Sequence, residues 1–199
     1  MILYLHGFLS SGNSHKGQWV KAHFNALGTE VLTPTYPIDS PEHSVALIES
    51  IIQESILPRV KPNSDQAWCI FGSSMGGFYG QYLAQKYQVP LVMINPALDP
   101  VPLLEPYLGS HVNEATGEAF TVDSSYLKAL KSFYRTSDST IESLVLLDEK
   151  DEVIPYQIAQ QQYQGIAKVL IFKGGNHAFQ HLEQAWPEMR SFVAKNNCQ

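Results

Sequence analysis

Apolar residues gather in six short runs, at 2–5, 30–33, 68–71, 91–94, 144–147 and 168–172. Each is too continuous for a strand with one wet face, which predicts parallel strands covered on both sides. Between the runs the apolar positions change to helical spacing. Residues 17–27 carry Trp19, Val20, Phe24 and Leu27 in this way. Residues 44–57 carry Val45, Ile48, Ile52 and Ile56, with Pro41 ahead as a first-turn residue and Pro58 as a stop. Further helices are predicted at 76–87, 155–163 and 182–194. Strand and helix in alternation predict a doubly wound α/β sheet with helices on both faces.

One stretch breaks the alternation. Residues 97–142 are longer than an ordinary crossover and rich in proline and aromatic residues. So many large apolar side chains argue against disorder. The stretch is expected to form a small helical cap over the ligand-binding edge of the sheet. A chain of 199 residues suits one domain, 1–199, with this cap as an insertion.

Charge narrows the partners. The net charge of −6, with no Lys/Arg run, argues against nucleic acid. No segment approaches the roughly 20 apolar residues of a membrane span, so no stable membrane insertion is expected. The start, MILYLHGF, lacks a basic flank, and the two cysteines, Cys69 and Cys198, have neither metal-ligand spacing nor an expected disulfide. A cytoplasmic protein is expected.

The third run leads into Gly72-Ser73-Ser74-Met75-Gly76, and a helical pattern follows. Strand, G-x-S-x-G and helix form a nucleophile elbow, in which glycines let the neighbouring strand and helix approach and the serine hydroxyl stands exposed. Ser74 is therefore the candidate nucleophile. A serine hydroxyl needs a base, and the base an orienting carboxylate, which follow on loops after later strands in the order acid, then His.

The fifth run ends in Asp148-Glu149-Lys150-Asp151-Glu152-Val153-Ile154-Pro155. Asp151 is the chosen acid, because the apolar residues after it would anchor the loop. Asp148, nearer the strand end, is the runner-up, and the acids not used read as solvated loop charges. The sixth run ends in Lys173-Gly174-Gly175-Asn176-His177. His177 is the candidate base, since an imidazole titrates near neutrality, and His181 is its competitor. His15, His23, His43 and His111 read as surface or packing residues. The first run ends in His6-Gly7-Phe8, so the N–H groups of Phe8 and Met75 are the candidate oxyanion donors. His6 is expected to hold its loop through hydrogen bonds.

These loops together resemble the α/β-hydrolase superfamily. More narrowly, "YLHGFLSSGNSHKGQ", "GSSMGGFY" and "INPAL" are similar to the small bacterial YqiA-type esterases. The resemblance spans nearly the whole chain. It implies a reduced α/β-hydrolase fold with a six-stranded parallel sheet, and Ser74, Asp151 and His177 at the triad positions. It also implies an esterase or thioesterase acting on acyl esters, acyl-CoA included, without metal or cofactor. Two edge strands common in the superfamily have no counterpart ahead of the first run.

The substrate stays open at this level. Leu9, Leu103, Leu104, Tyr107, Phe133 and Tyr134 are candidates for an apolar acyl pocket, although core packing uses the same residue types. The same triad serves lactone opening, acyl transfer and C–C hydrolysis. A non-catalytic binding or scaffold protein is the other alternative, and such proteins often lose a triad member.

Overall fold

The computed structural model describes residues 1–60 and 67–198. Its main sheet contains β1 (Ile2–Leu5), β2 (Val31–Leu32), β3 (Cys69–Ser73), β4 (Leu91–Ile94), β7 (Ser143–Asp148) and β8 (Lys168–Phe172). The six strands are parallel in the order β2-β1-β3-β4-β7-β8. Each coincides with one of the apolar runs to within two residues at either end.

Alternation along the strands splits the core in two. Leu3, Leu5, Ile70, Met93, Val145 and Leu147 face one side of the sheet. Ile2, Tyr4, Phe71, Val92, Leu144 and Leu146 face the other. The second layer is closed by α1 (His15–Asn25) and α7 (Leu182–Lys195), through residues such as Phe24 and Met189. The first is closed by α2 (Pro41–Ile51), α3 (Met75–Tyr87) and α6 (Tyr156–Tyr163). Burying a large aliphatic or aromatic side chain stabilises by about 1.5–3 kcal/mol, so both faces contribute. Pro41 takes the first turn of α2 behind the Ser40 cap, and the helix runs on as a π-helical turn at Ile52–Ile56 before Pro58.

From β1 the chain first crosses to β2 on one side and then returns past β1 to β3 on the other. Such a reversal opens a crevice at the carboxyl ends of the strands, where α/β proteins bind ligands. The loops after β1 and β3 meet there.

The excursion at 97–142 departs from the helical expectation. It consists of α4 (Pro100–Leu104) with a short 3₁₀ turn, then an antiparallel hairpin of β5 (Gly109–Asn113) and β6 (Glu118–Val122), then α5 (Ser124–Phe133). The pairing of Val112 with Ala119 and His111 with Phe120 leaves one hairpin face exposed and turns Phe120 and Val122 into the core. This half-wet alternation is weak in sequence beside the continuous runs of the main sheet. Cys69 and Cys198 are free thiols, buried in one apolar cluster.

Candidate active site

Ser74 follows β3 with φ 54° and ψ −120°, a strained conformation for a residue with a side chain. The surroundings impose it. Any Cβ on Gly72 would strike the Gly76 carbonyl, and any on Gly76 the Leu5 carbonyl. A Cβ on Gly7 would come within 3.2 Å of Ser74 Cβ, so the loop after β1 lies directly against the serine.

Ser74 Oγ is 3.1 Å from His177 Nε2. On the other side of the ring, His177 Nδ1 is 2.9 Å from Asp151 Oδ2. This assigns the proton to Nδ1 and leaves Nε2 bare toward the hydroxyl. Asp151 is itself held by the N–H groups of Val153 and Ile154, each 2.9 Å from Oδ1. The anchor is thus the backbone at 153–154. Ile154 is buried, and Val153 is about half exposed.

Phe8 and Met75 line a cavity together with Ser74, and among the described residues neither backbone N–H is taken by a backbone carbonyl. Met75 opens α3, whose dipole adds positive potential there. The Phe8 ring packs edge-on against Tyr107 and Phe120, at 5.6 and 5.4 Å between centroids. Asn113, fully buried in the hairpin, donates to Ser10 O at 3.1 Å. The excursion therefore braces the loop that carries Phe8.

His6 stacks on Tyr36 at 3.9 Å, and its Nδ1 donates to Gly7 O at 2.8 Å. The Tyr36 N–H reaches His6 Nε2, and the Tyr36 hydroxyl donates to the His6 carbonyl. Burial pushes the imidazole down to about 4, so it is neutral and structural.

The acids not paired with His177 are more than solvated charges. Asp148 is completely buried and accepts from His181 Nδ1 at 2.6 Å, Gln180 N–H at 2.8 Å and Asn176 N–H at 3.1 Å. Gly175 sits above it with φ 73°, where any side chain would collide with that carboxylate. Glu152 accepts the His177 N–H at 3.0 Å, and Glu149 the Gly174 N–H at 3.3 Å. Asn95, buried after β4 with φ 43°, accepts the Asp148 N–H and donates to Asn176 O. Sequence reasoning gave no role to Asn95 or to the Asp148–His181 pair. The signal was available in a polar residue placed immediately after the apolar run of β4.

An apolar cavity of about 160 Å³ opens beside Ser74, Met75 and His177. Leu9, Leu103, Leu104 and Tyr107 line it, joined by Val153 and Ile154. Phe133 and Tyr134 do not line it. Phe133 packs on Tyr79 and Tyr82 of α3, because the apolar face of α5 is used against the domain body. Tyr134 lines a separate cavity with Phe78 and Pro100. Among the described residues there is no cluster of three or more His, Cys, Asp and Glu side chains able to hold a metal ion, and no helix is long and apolar enough to cross a membrane.

The model of an "Uncharacterised protein family (UPF0227)" matches residues 1–194. Among solved structures, Est1E from Butyrivibrio proteoclasticus is similar over 100% of this chain and 88% of its own, at 16% identity and a TM-score of 0.76. Alpha/beta hydrolase domain-containing protein 10 from mouse is similar over 96% of this chain and 89% of its own, at 17% identity and a TM-score of 0.71. A structure of the metagenome-derived lipolytic enzymes LipS and LipT is similar over 98% of this chain and 93% of its own, at 18% identity and a TM-score of 0.71. The fold is that of the α/β-hydrolases.

Proposed function

The chain belongs to family UPF0227, the YqiA-type family, and on that premise we propose that it is a serine hydrolase of carboxylic esters or thioesters. The observation that carries this reading is the hydrogen-bonded sequence Ser74 Oγ, His177 Nε2, His177 Nδ1 and Asp151 Oδ2. The lipolytic activity named for LipS and LipT belongs to those proteins and lends support on the side of ester cleavage.

In this mechanism His177 Nε2 takes the proton of Ser74 as Oγ attacks the acyl carbonyl carbon. The carbonyl oxygen becomes an oxyanion held by the Phe8 and Met75 N–H groups, each worth about 2.7–4 kcal/mol of barrier. Collapse breaks the bond to the alcohol or thiol, which leaves with the proton from His177. Water then gives its proton to His177 and attacks the acyl-enzyme. The acid departs and the proton returns to Ser74 Oγ. Asp151 holds the ring and stabilises its charge throughout. The apolar cavity beside Leu9 and Leu103 receives a short apolar arm of the substrate.

The test is a panel of p-nitrophenyl esters of rising acyl length together with acyl-CoA thioesters, read for the parent protein and Ser74→Ala. The variant is expected to lose about 10⁵-fold or more in kcat and to resist fluorophosphonate labelling. Parent-level turnover by the variant would refute the assignment.

A further inference from the structure

A second cavity, of about 310 Å³, meets Ser74 and His177 from the side of α1. More polar side chains line it than line the cavity beside Leu9 and Leu103. Its walls bring Tyr4, Ser10, Ser14, His15 and Lys16 together with Ala178, the neighbour of His177. Phe8 stands between the two spaces and lines both.

Three observations give this cavity a sign. Lys16 supplies an ammonium group there, which among the described residues is held only by Ala178 O at 3.1 Å and forms no ion pair. The carboxylates that act on its charge, Asp151 and Asp148, are already engaged by His177, His181 and backbone N–H groups. Tyr4 Oη is a second donor. It is 1% exposed, faces the Ser14 and Ser73 hydroxyls, and among the described residues has no partner in hydrogen-bond geometry. The third feature is the first turn of α1, capped by Ser14, whose His15 and Lys16 N–H groups have no intrahelical acceptor.

We propose that this cavity is an anion subsite, and that the substrate is an ester or thioester with a carboxylate or phosphate on one arm and an apolar group on the other. The inference rests on the hydrolase reading above and specifies its substrate. The anion would replace solvent around Lys16 and accept from Tyr4 and the α1 turn, placing the scissile carbonyl between the two cavities. Burial lowers the Lys16 ammonium below the ordinary lysine range despite Asp151 and Asp148, so a bound anion also relieves a desolvated charge. His15, read in sequence as a surface or packing residue, is exposed and stands at this wall.

The experiment compares p-nitrophenyl butyrate with the p-nitrophenyl hemiester of glutarate, whose carboxylate is on the acyl arm. It adds 3-carboxy-4-nitrophenyl butyrate, whose carboxylate is on the leaving arm. Each is measured with the parent, Lys16→Met and the distant charge control Lys168→Met. Lys16→Met is expected to reduce the ratio of kcat/KM for one anionic ester over the neutral one by about tenfold or more, the effect of one charge-assisted hydrogen bond. The ester affected identifies the arm. Lys168→Met should leave the ratio within about twofold, as expected for a screened exposed charge. An unchanged ratio in Lys16→Met, or an equal fall in the control, overturns the subsite.

Titration of monobutyl phosphate into the parent, Lys16→Met and Tyr4→Phe proteins gives a readout independent of turnover. Weaker binding by both variants supports the subsite even if no ester is hydrolysed, which would count against the hydrolase reading alone. Equal binding by all three rejects the subsite. Circular dichroism and thermal unfolding confirm that the variants are folded.

Discussion

Asp148 Oδ1 lies 2.6 Å from His181 Nδ1, forming a second carboxylate–imidazole pair beneath the loop that carries His177. The Asp148 carboxylate also takes the N–H groups of Asn176 and Gln180. It therefore fastens both flanks of the short segment that presents His177 to Ser74.

Asp148→Asn should loosen this segment without touching Ser74. Loss of a buried charged acceptor costs about 1–3 kcal/mol, and thermal unfolding should show it. Ester turnover should fall mainly in kcat, because the base is displaced while the acyl cavity is intact. A rise in KM with kcat unchanged would contradict a positioning role.

Asp151→Asn acts at a different point. The amide cannot stabilise the imidazolium and favours the wrong tautomer of His177, so kcat should fall by about 10³–10⁴-fold. The fall should exceed that of Asp148→Asn by a wide margin. Steady-state kinetics on one activated ester decides this, and the reverse ranking would make Asp148 the orienting acid.

Asn113 tests the excursion's hold on the loop after β1. Asn113→Ala leaves Ser10 O without its side-chain donor and should destabilise by about 1–3 kcal/mol. If the bond keeps the Phe8 N–H in place, kcat/KM should fall by about tenfold to a hundredfold. Denaturant unfolding combined with ester kinetics measures both, and a stability loss with full activity would separate the hairpin from catalysis.

The buried His6 predicts an acid-sensitive fold. Its imidazole is pushed down to about 4 in the folded chain, whereas an unfolded histidine takes a proton near pH 6.5. Between these values the unfolded state binds more protons, so stability rises with pH. This contribution is complete above about pH 6.5 and is lost as pH falls toward 4, by about 3 kcal/mol. Urea unfolding of the parent and His6→Asn from pH 4 to 8 should show a stability difference that narrows toward acid. A constant difference would rule His6 out as the cause.

The local patterns were the most legible part of the molecule. The β1 and β4 runs coincide with their strands residue for residue, because a parallel strand covered on both faces must be apolar throughout. The hairpin was hidden, because its strands are half exposed and lie among Pro and aromatic residues that helices also accept. Likewise, no spacing rule distinguishes Phe133 on α3 from Tyr107 beside Ser74.

By itself, the sequence determined that a strand, a glycine-flanked serine and a helix follow one another, and that acids and histidines come after the fifth and sixth strands. These features are local, set by side-chain periodicity and by contacts that only glycine permits. The sequence favoured Asp151 over Asp148 and His177 over His181, but only the tertiary structure paired each acid with its histidine. Asp148 ends the β7 strand and is drawn under the loop, while Asp151, three residues on, turns back on its own backbone and reaches His177. Only the folded chain also put Lys16 and Tyr4 beside Ser74, from elements separated in sequence by nearly sixty residues or more. Such pairings depend on loop conformation and sheet order, which no single segment encodes.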